Sequence, residues 1–108
     1  MRWIRLLGIL AAALLVHAQS VRAQGYPSNT VKIIVPYSAG GGTDIVARIL
    51  ANKLQQKWAK NVVVENRAGG GGNLGADLVY TADPDGLTLL FAAQGPFAVN
   101  KALYGKLS

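Results

Sequence analysis

Three short apolar runs alternate along the chain with longer segments in which apolar residues recur at helical spacing. The runs are VKIIVP at 31–36, NVVVEN at 61–66 and LTLLFAA at 87–93. They are rich in β-branched residues, and their apolar character is nearly continuous, which is typical of strands covered on both faces of a parallel sheet. We therefore predict one strand in each run.

The segment between the first two runs is predicted to be an amphipathic helix from Thr43 to about Lys60. Residues of one apolar stripe recur every four positions, with two isoleucines beside them: Val46, Leu50, Leu54 and Trp58, flanked by Ile45 and Ile49. Because this spacing keeps residues on one side of a helix, we expect the stripe to face the core. Thr43 or the residue before it is expected to cap the helix, and Asp44 suits the positive end of the helix dipole.

Two shorter helices complete the pattern. One is predicted from Asn73 to Ala82 with Asn73 as its cap, followed by a turn at ADPDG (82–86), and another from Phe97 to Tyr104. The order strand, helix, strand, helix, strand predicts an α/β unit with a parallel sheet. Two right-handed crossovers can lay the strands in the order 2-1-3, which we choose among the few topologies that remain. That order puts a topological switch point beside the first strand, where ligands of open α/β sheets bind.

Residues 1–23 are predicted to be a cleavable secretory signal peptide. Arg2 and Arg5 precede an uncharged apolar run at 6–16, and Val21-Arg22-Ala23 places short residues where a signal peptidase cuts. The run is shorter than the roughly 20 apolar residues that cross a bilayer core. Residues 24–108 are therefore expected to be the mature, exported part of the chain.

Removing this segment changes the charge balance. The whole chain carries a formal charge of +6, but three of its eleven basic residues lie in the predicted signal peptide and all five acidic residues lie after it, which leaves +3. The remaining lysines and arginines are scattered, so no nucleic-acid partner is predicted. Because the chain has no cysteine, its stability is expected to come from a hydrophobic core.

The loops that follow the three predicted strands share an unusual composition. We refer to PYSAGGGTD (36–44), NRAGGGGNLG (66–75) and AAQGPFA (92–98) as the first, second and third loops. In a parallel sheet all three lie at the same edge. Glycine lets the backbone approach a ligand closely, and a helix start leaves N–H groups without partners. The loops therefore predict a pocket of N–H donors for an anion such as a carboxylate or phosphate.

Other kinds of chemistry find little support. The first loop lacks the lysine of a P-loop, and the GxGxxG frame at Gly70, Gly72 and Gly75 lacks the acidic residue that a dinucleotide site has at the end of the next strand. The single histidine, His17, lies in the predicted signal peptide, and neither paired carboxylates nor a metal-ligand cluster stands at helical spacing. We predict no catalytic residues, no cofactor and no metal.

Four stretches are specific enough to indicate a family. YPSNTVKIIVPYSAGGGTDIVARILANKL, VVVENRAGGGGNLGADLV, ADPDGLTLLFA and NKALYGKL resemble, in order and spacing, the start of the Bug family, the periplasmic substrate-binding proteins of tripartite tricarboxylate transporters. The resemblance runs from about Tyr26 to Leu107. It implies one α/β lobe of a two-lobe, flytrap-like periplasmic-binding-protein fold. It also implies a periplasmic protein that is not an enzyme, captures a small organic carboxylate and passes it to a membrane permease.

The resemblance carries implications for length and for ligand contacts. Members of the family have roughly 300 residues, a length that usually corresponds to two domains. Residues 24–108 are therefore expected to be the N-terminal part of the first lobe, truncated within it and without the second lobe, of a protein that is monomeric when full length. In the family, the first and second loops contact one carboxylate, partly through ordered water. We add the third loop, at Gln94 to Phe97, as a further candidate contributor. The residues at these positions are Tyr37, Ser38, Ala39, Gly40, Gly41, Gly42, Thr43, Ala68, Gly69, Gly70, Gly71, Gly72, Asn73, Gln94 and Gly95.

Two other classes of function stay open on the sequence. One is an exported enzyme or nucleotide-binding module whose catalytic residues lie in the missing C-terminal part. The other is a structural or sensor domain that presents a bound ligand to a membrane partner.

Overall fold

A computed structural model describes residues 25–105, and the predicted signal peptide lies outside them. Three strands form one parallel sheet: β1 (Val31–Val35), β2 (Val62–Asn66) and β3 (Thr88–Leu90). Their order is β2-β1-β3, so the predicted order 2-1-3 is confirmed. The central strand pairs Ile33 with Val64 on one side and with Leu89 on the other.

Helices connect the strands as the pattern predicted, with differences at their ends. Helix α1 (Gly42–Trp58) joins β1 to β2. A 3₁₀ turn (Gly70–Gly72) leads into α2 (Asn73–Tyr80), which joins β2 to β3. After β3, a π-helical turn (Gly95–Val99) leads into α3 (Asn100–Tyr104). Between residues 25 and 105, no helix is long and apolar enough to cross a membrane.

The third strand is shorter than the run from which it was predicted. Regular pairing covers Thr88–Leu90, and the Phe91 N–H extends it by one hydrogen bond of 2.9 Å to the carbonyl of Ile34. Apolar character alone therefore overestimated the strand, because the backbone leaves the sheet at Ala92 to enter the third loop.

Strand β1 forms the centre of the core. Its four apolar residues Val31, Ile33, Ile34 and Val35 are each at most 2% exposed. The run is apolar on both faces because the sheet is covered on both faces: Val31 and Ile33 cluster with Ala51 of α1, while Pro36 lies beneath Gly75 of α2. Continuous rather than alternating burial is what a central parallel strand requires.

The prediction of the buried face of α1 was wrong in its first half. Ala47 and Ala51 are buried, whereas Val46 is 53% exposed and Leu50 is 39% exposed. Only the C-terminal members of the stripe, Leu54 and Trp58, pack against the core. Since each residue advances about 100° around a helix, a spacing of four drifts by about 40° per step, so the stripe begins outside the buried face and reaches it only at Leu54 and Trp58. The small alanines let the N-terminal half of α1 lie close to the sheet, which apolar size did not indicate.

The predicted caps were also wrong. The N-cap of α1 is Gly41, which makes no side-chain hydrogen bond, and Thr43 lies inside the first turn. The N-cap of α2 is Gly72, and Asn73 is its first helical residue. In both helices a glycine takes the capping position, and the side chain of Asn73 accepts a hydrogen bond from Asn100 instead of capping α2.

Asp44 holds the start of α1 against the sheet. Its carboxylate is buried and accepts hydrogen bonds from the Gly40 N–H at 2.8 Å, Arg48 Nε at 3.0 Å and Asn66 Nδ2 at 3.0 Å. The same Asn66 amide donates to the carbonyl of Tyr37 at 3.1 Å. One carboxylate and one amide therefore join the first loop, α1 and the end of β2.

The same contacts make Asp44 a strong acid. The hydrogen bond from Arg48, followed by those from Gly40 and Asn66, lowers the pKa of Asp44 from 3.8 to about 2, against the opposing effect of burial. The charged form is therefore favoured in the folded chain. A folded-state pKa below the unfolded value gives stability that is complete above the unfolded pKa and lost as the pH falls through the folded pKa.

We expect Asp44→Asn to remove the contribution of the charged Asp44 to the free energy of unfolding, which the wild type loses in acid. The variant should be less stable than the wild type at pH 7, because it loses the charged acceptor for Arg48 and Gly40, and the difference should shrink as the pH falls from about 4 to about 2. Denaturant unfolding at a series of pH values measures it. The difference between the two proteins isolates Asp44, because all other carboxylates are common to both. A difference that is independent of pH would contradict the role given to the charge.

Gly75 sets the distance between α2 and the sheet. A Cβ atom at this position would lie 2.6 Å from Cβ of Pro36, 3.0 Å from its Cα and 3.1 Å from the carbonyl oxygen of Arg67. Two of these three contacts involve backbone atoms, which cannot move aside without shifting the loop or the helix. The last glycine of the GxGxxG frame is therefore required for helix–strand packing.

Gly75→Ala is expected to lower the free energy of unfolding by about 1–3 kcal/mol, the usual effect of overpacking a close contact. Equilibrium denaturation of the chain measures this value. Gly42→Ala is the matched control, because Gly42 is also a helical glycine and a Cβ there meets no atom within 4 Å. The control should stay within about 0.5 kcal/mol of the wild type, and equal stability of the two variants would refute the packing role.

Candidate functional site

The second loop contains four consecutive glycines with a backbone that other residues rarely adopt. Gly69, Gly70, Gly71 and Gly72 have φ values of 146°, 55°, 64° and 99°. Positive φ is strained for residues with a Cβ, so the backbone conformation of this turn requires glycine at all four positions. The N–H groups of Gly72 and Leu74 both donate to the Gly69 carbonyl, at 3.0 and 3.4 Å, which closes this segment on itself. We call Gly69–Gly72 the glycine turn.

The first loop lies directly against the glycine turn. Gly72 is buried, and a Cβ at this position would be 3.4 Å from Cε1 of Tyr37. The Arg67 N–H donates to the carbonyl of Val35 at 2.8 Å, and Asn66 bonds to the carbonyl of Tyr37. The first and second loops are thus joined by the Tyr37 side chain against Gly72 and by one half-buried amide, beside a backbone hydrogen bond from the second loop to the end of β1.

The third loop closes on the other side of the glycine turn. Cγ of Pro96 lies 2.8 Å from the Cβ position of Gly72, and the Gly71 carbonyl lies 3.2 Å from the Cβ position of Gly95. Asn100 Nδ2 donates to the Gly71 carbonyl at 3.0 Å and to Asn73 Oδ1 at 2.6 Å. All three loops therefore meet at the carboxyl edge of the sheet.

The predicted site residues differ in how they face solvent. In the first loop, Ser38 to Gly42 are exposed, while Tyr37 and Thr43 are half-buried. In the second loop, Ala68 to Gly71 are exposed, Asn73 is half-buried and Gly72 is buried between Tyr37 and Pro96. Gln94 is exposed and Gly95 is half-buried. Gly72 therefore lies in the contact between the loops. The exposed backbone belongs to the residues of the first and second loops around it.

Two asparagines at the centre of this arrangement were missed by the sequence analysis. Asn66 and Asn100 each bridge loops that are far apart in the chain, and Asn100 is only 4% exposed. A signal for Asn66 was its position at the carboxyl end of a predicted strand, beside the proposed ligand edge. Asn100 follows the apolar run PFAV, and nothing local distinguishes it from a surface residue.

Backbone N–H groups supply the positive potential at this edge. The first turn of α1 has N–H groups without partners inside the helix, and its dipole favours an anion there. The nearby cations are engaged with carboxylates: Arg48 with Asp44 at 3.0 Å, and Arg67 with Glu65. Glu65 also pairs with Lys32 at 3.2 Å, and the hydrogen bond from Lys32 is the main cause that lowers the pKa of Glu65.

A separate groove of about 260 Å³ runs between α1 and the β2 edge of the sheet. Its lining residues are Arg48, Ala51, Asn52, Gln55, Val62 and Val64. None of the predicted contact residues lines it, so the groove and the three loops are different surfaces. Within residues 25–105, no three histidine, cysteine, aspartate or glutamate side chains are grouped so that they could hold a metal ion.

Comparison with known proteins gives the family. The model of the family described as tripartite tricarboxylate transporter family receptor matches residues 46–108, more than half of the chain. Protein BugT of Bordetella pertussis is 44% identical over 87 residues, which are 80% of this chain and 27% of BugT.

Solved structures agree with the fold. A periplasmic transporter is 43% identical with a TM-score of 0.72, over 76% of this chain and 27% of that one. A protein of R. palustris solved with adipate is 34% identical with a TM-score of 0.68, over 70% and 25% of the two chains. MatC from Rhodopseudomonas palustris with bound malate is 40% identical with a TM-score of 0.57, over 60% and 22%.

The chain spans 27% of BugT and 22–27% of these solved proteins. Over that span, a parallel sheet flanked by helices matches periplasmic binding proteins, which confirms the predicted fold class. The chain belongs to the tripartite tricarboxylate transporter receptor family, as its resemblance to the Bug proteins predicted.

Proposed function

We propose that the chain takes part in the capture of a small organic carboxylate in the periplasm for a tripartite tricarboxylate-type transporter. The observation that carries this proposal is the closure of the glycine turn between Tyr37 and Pro96, beside the start of α1. It brings exposed glycine backbone from two loops to one edge of the sheet. Solved members of the family support it, since one is described with adipate and another with malate.

In this proposal the carboxylate is bound by backbone N–H groups and not by a free cation. The exposed residues of the first loop lie at the start of α1, where unpaired N–H groups and the helix dipole favour negative charge. The Gly40 N–H is already taken by Asp44, so Gly41, Gly42 and Thr43 are the donors assigned to the ligand on this side. Gly70 and Gly71 supply the facing donors from the glycine turn, with ordered water filling the remaining positions.

The arrangement favours a carboxylate over a larger anion such as a dinucleotide. The GxGxxG frame is present, but Gly75 serves helix–strand packing, and residues 91–93 after β3 are Phe, Ala and Ala, without an acid for a ribose. We therefore propose a binding role without catalysis or cofactor for this chain. The signal peptide at 1–23, release to the periplasm and transfer of the ligand to membrane permease subunits belong to the same proposal.

A ligand screen on the chain without residues 1–23 tests this function. Malate and adipate, each raised to about a hundred times its dissociation constant, should stabilise the folded state by about 2.7 kcal/mol. Thermal unfolding followed over a concentration series measures the shift. NAD and ATP are the comparison ligands, and stabilisation by a nucleotide with none from any dicarboxylate would overturn the proposal in favour of a nucleotide-binding module.

Valine substitutions in the two loops test where the carboxylate binds. Gly41 has φ −75° and ψ 167°, and a Cβ there meets only the carbonyl of Ser38 at 3.5 Å, so Gly41→Val adds bulk over the start of α1 without backbone strain. Gly71→Val forces a β-branched residue into φ 64°, which should displace the glycine turn. We expect each variant to weaken dicarboxylate binding about tenfold or more, equivalent to 1.4 kcal/mol.

The matched control is Gly25→Val, because a Cβ at Gly25 meets no atom within 4 Å and the residue lies far along the chain from the three loops. Isothermal titration of malate and adipate compares the three variants with the wild type. The control should bind as the wild type does. Unchanged affinity in both loop variants would show that these loops do not form the pocket.

A further inference from the structure

The region around α3 reverses the usual pattern of burial. Phe97, Val99 and Leu103 are 66%, 41% and 70% exposed, whereas the polar Asn100 between them is only 4% exposed. Burying an amide costs free energy unless its hydrogen bonds are replaced, so its position needs a specific set of partners. Those partners belong to the glycine turn and its neighbour, 29 and 27 residues away in the chain.

Both hydrogen bonds use the same donor group. Asn100 Nδ2 donates to the Gly71 carbonyl at 3.0 Å and to Asn73 Oδ1 at 2.6 Å. Its own backbone N–H donates to the Gly95 carbonyl, which fixes the side chain relative to the third loop. Asn100 therefore holds the middle of the glycine turn, the first residue of α2 and the third loop in one arrangement.

A run of four glycines has a large conformational entropy to lose, because glycine has more accessible backbone states than any other residue. A binding loop that must be ordered by its ligand loses affinity by the free energy of that ordering. Holding the Gly71 carbonyl fixes the plane of the Gly71–Gly72 peptide group, so the ψ of 23° at Gly71 and the φ of 99° at Gly72 are kept before any ligand arrives.

We propose that Asn100 is a positioning residue for carboxylate capture, which orders the glycine turn in the unliganded chain through its hydrogen bonds to Gly71 and Asn73. This inference rests on the proposed function, in which the glycine turn supplies N–H donors to the ligand. Asn100 itself does not touch the carboxylate. Its contribution is to the geometry of the turn and, through it, to affinity.

Asn100→Asp is the sharpest test, since it keeps the shape of the side chain but replaces the donor by an acceptor facing two oxygen atoms. At pH 7 we expect faster amide hydrogen exchange at Gly72 and Asn73, whose N–H groups close the turn on Gly69 and Gly70. We also expect malate and adipate to bind about tenfold or more weakly in isothermal titration. Val31→Ala is the control, because it destabilises the core at the other end of β1 and should leave both readouts of the loops unchanged after correction for global stability.

Gly95→Ala provides a milder version of the same test should Asn100→Asp not fold. Its Cβ would lie 3.2 Å from the Gly71 carbonyl oxygen and 3.3 Å from Asn100 Oδ1, so it presses on the same contact without removing a hydrogen-bonding group. It should raise exchange at Gly72 and Asn73 to a smaller degree.

The two readouts separate the inference from the proposed function. Faster exchange at Gly72 and Asn73, in a chain whose wild type binds neither dicarboxylate, would uphold the ordering by Asn100 and overturn capture as its purpose. A wild type that binds, together with Asn100→Asp that binds equally well and exchanges equally slowly, would overturn the role of Asn100. Weaker binding with unchanged exchange would also overturn it, because the loss would then not arise from ordering of the turn.

Discussion

Burial of β1 on both faces is the constraint on which the rest of the structure depends. A strand with Ile33 and Ile34 on opposite faces, both at most 2% exposed, must have a helix layer on each side and a strand at each edge. Parallel neighbours require crossovers, and right-handed crossovers bring the second and third strands to opposite sides of the first. All strand-to-helix loops then emerge at one edge. The meeting of the three loops is therefore a consequence of how the central strand is buried.

This dependence explains which parts of the structure could be predicted from the sequence. Continuous apolar runs and their spacing were enough for strand order and for the edge at which the loops meet. The buried face of α1 was not predicted correctly, because close packing against the sheet selects small residues such as Ala47 and Ala51, and a pattern of apolar size favours Val46 and Leu50. The caps were missed for a related reason: glycine at Gly41 and Gly72 leaves no side-chain signal at either helix start.

The contacts between the loops could not be predicted from the sequence, because they depend on distances in the folded chain and not on a local residue pattern. Asn66 reaches the carbonyl of Tyr37 across 29 residues, and Asn100 reaches that of Gly71 across the same separation. Each amide satisfies a carbonyl of a loop that has no regular secondary structure to satisfy it. The glycine-rich loops could be found from composition. The residues that keep them in place could be found only from the fold.

The distribution of charge sharpens what such a site can recognise. Arg48 and Arg67 are each paired with a carboxylate of the chain itself, so in the proposed site the attraction for an anion is assigned to N–H groups held in fixed directions. Fixed dipoles discriminate by geometry more than by net charge, because each donor must meet an oxygen at hydrogen-bond distance. If the proposed function is correct, selectivity among small organic acids depends on how rigidly the glycine turn is held. A glycine-rich loop has little rigidity of its own, so in the proposed site Asn100, which holds the middle of the glycine turn, and Asn66, which ties the first loop to the end of β2, are as much a part of recognition as the glycines.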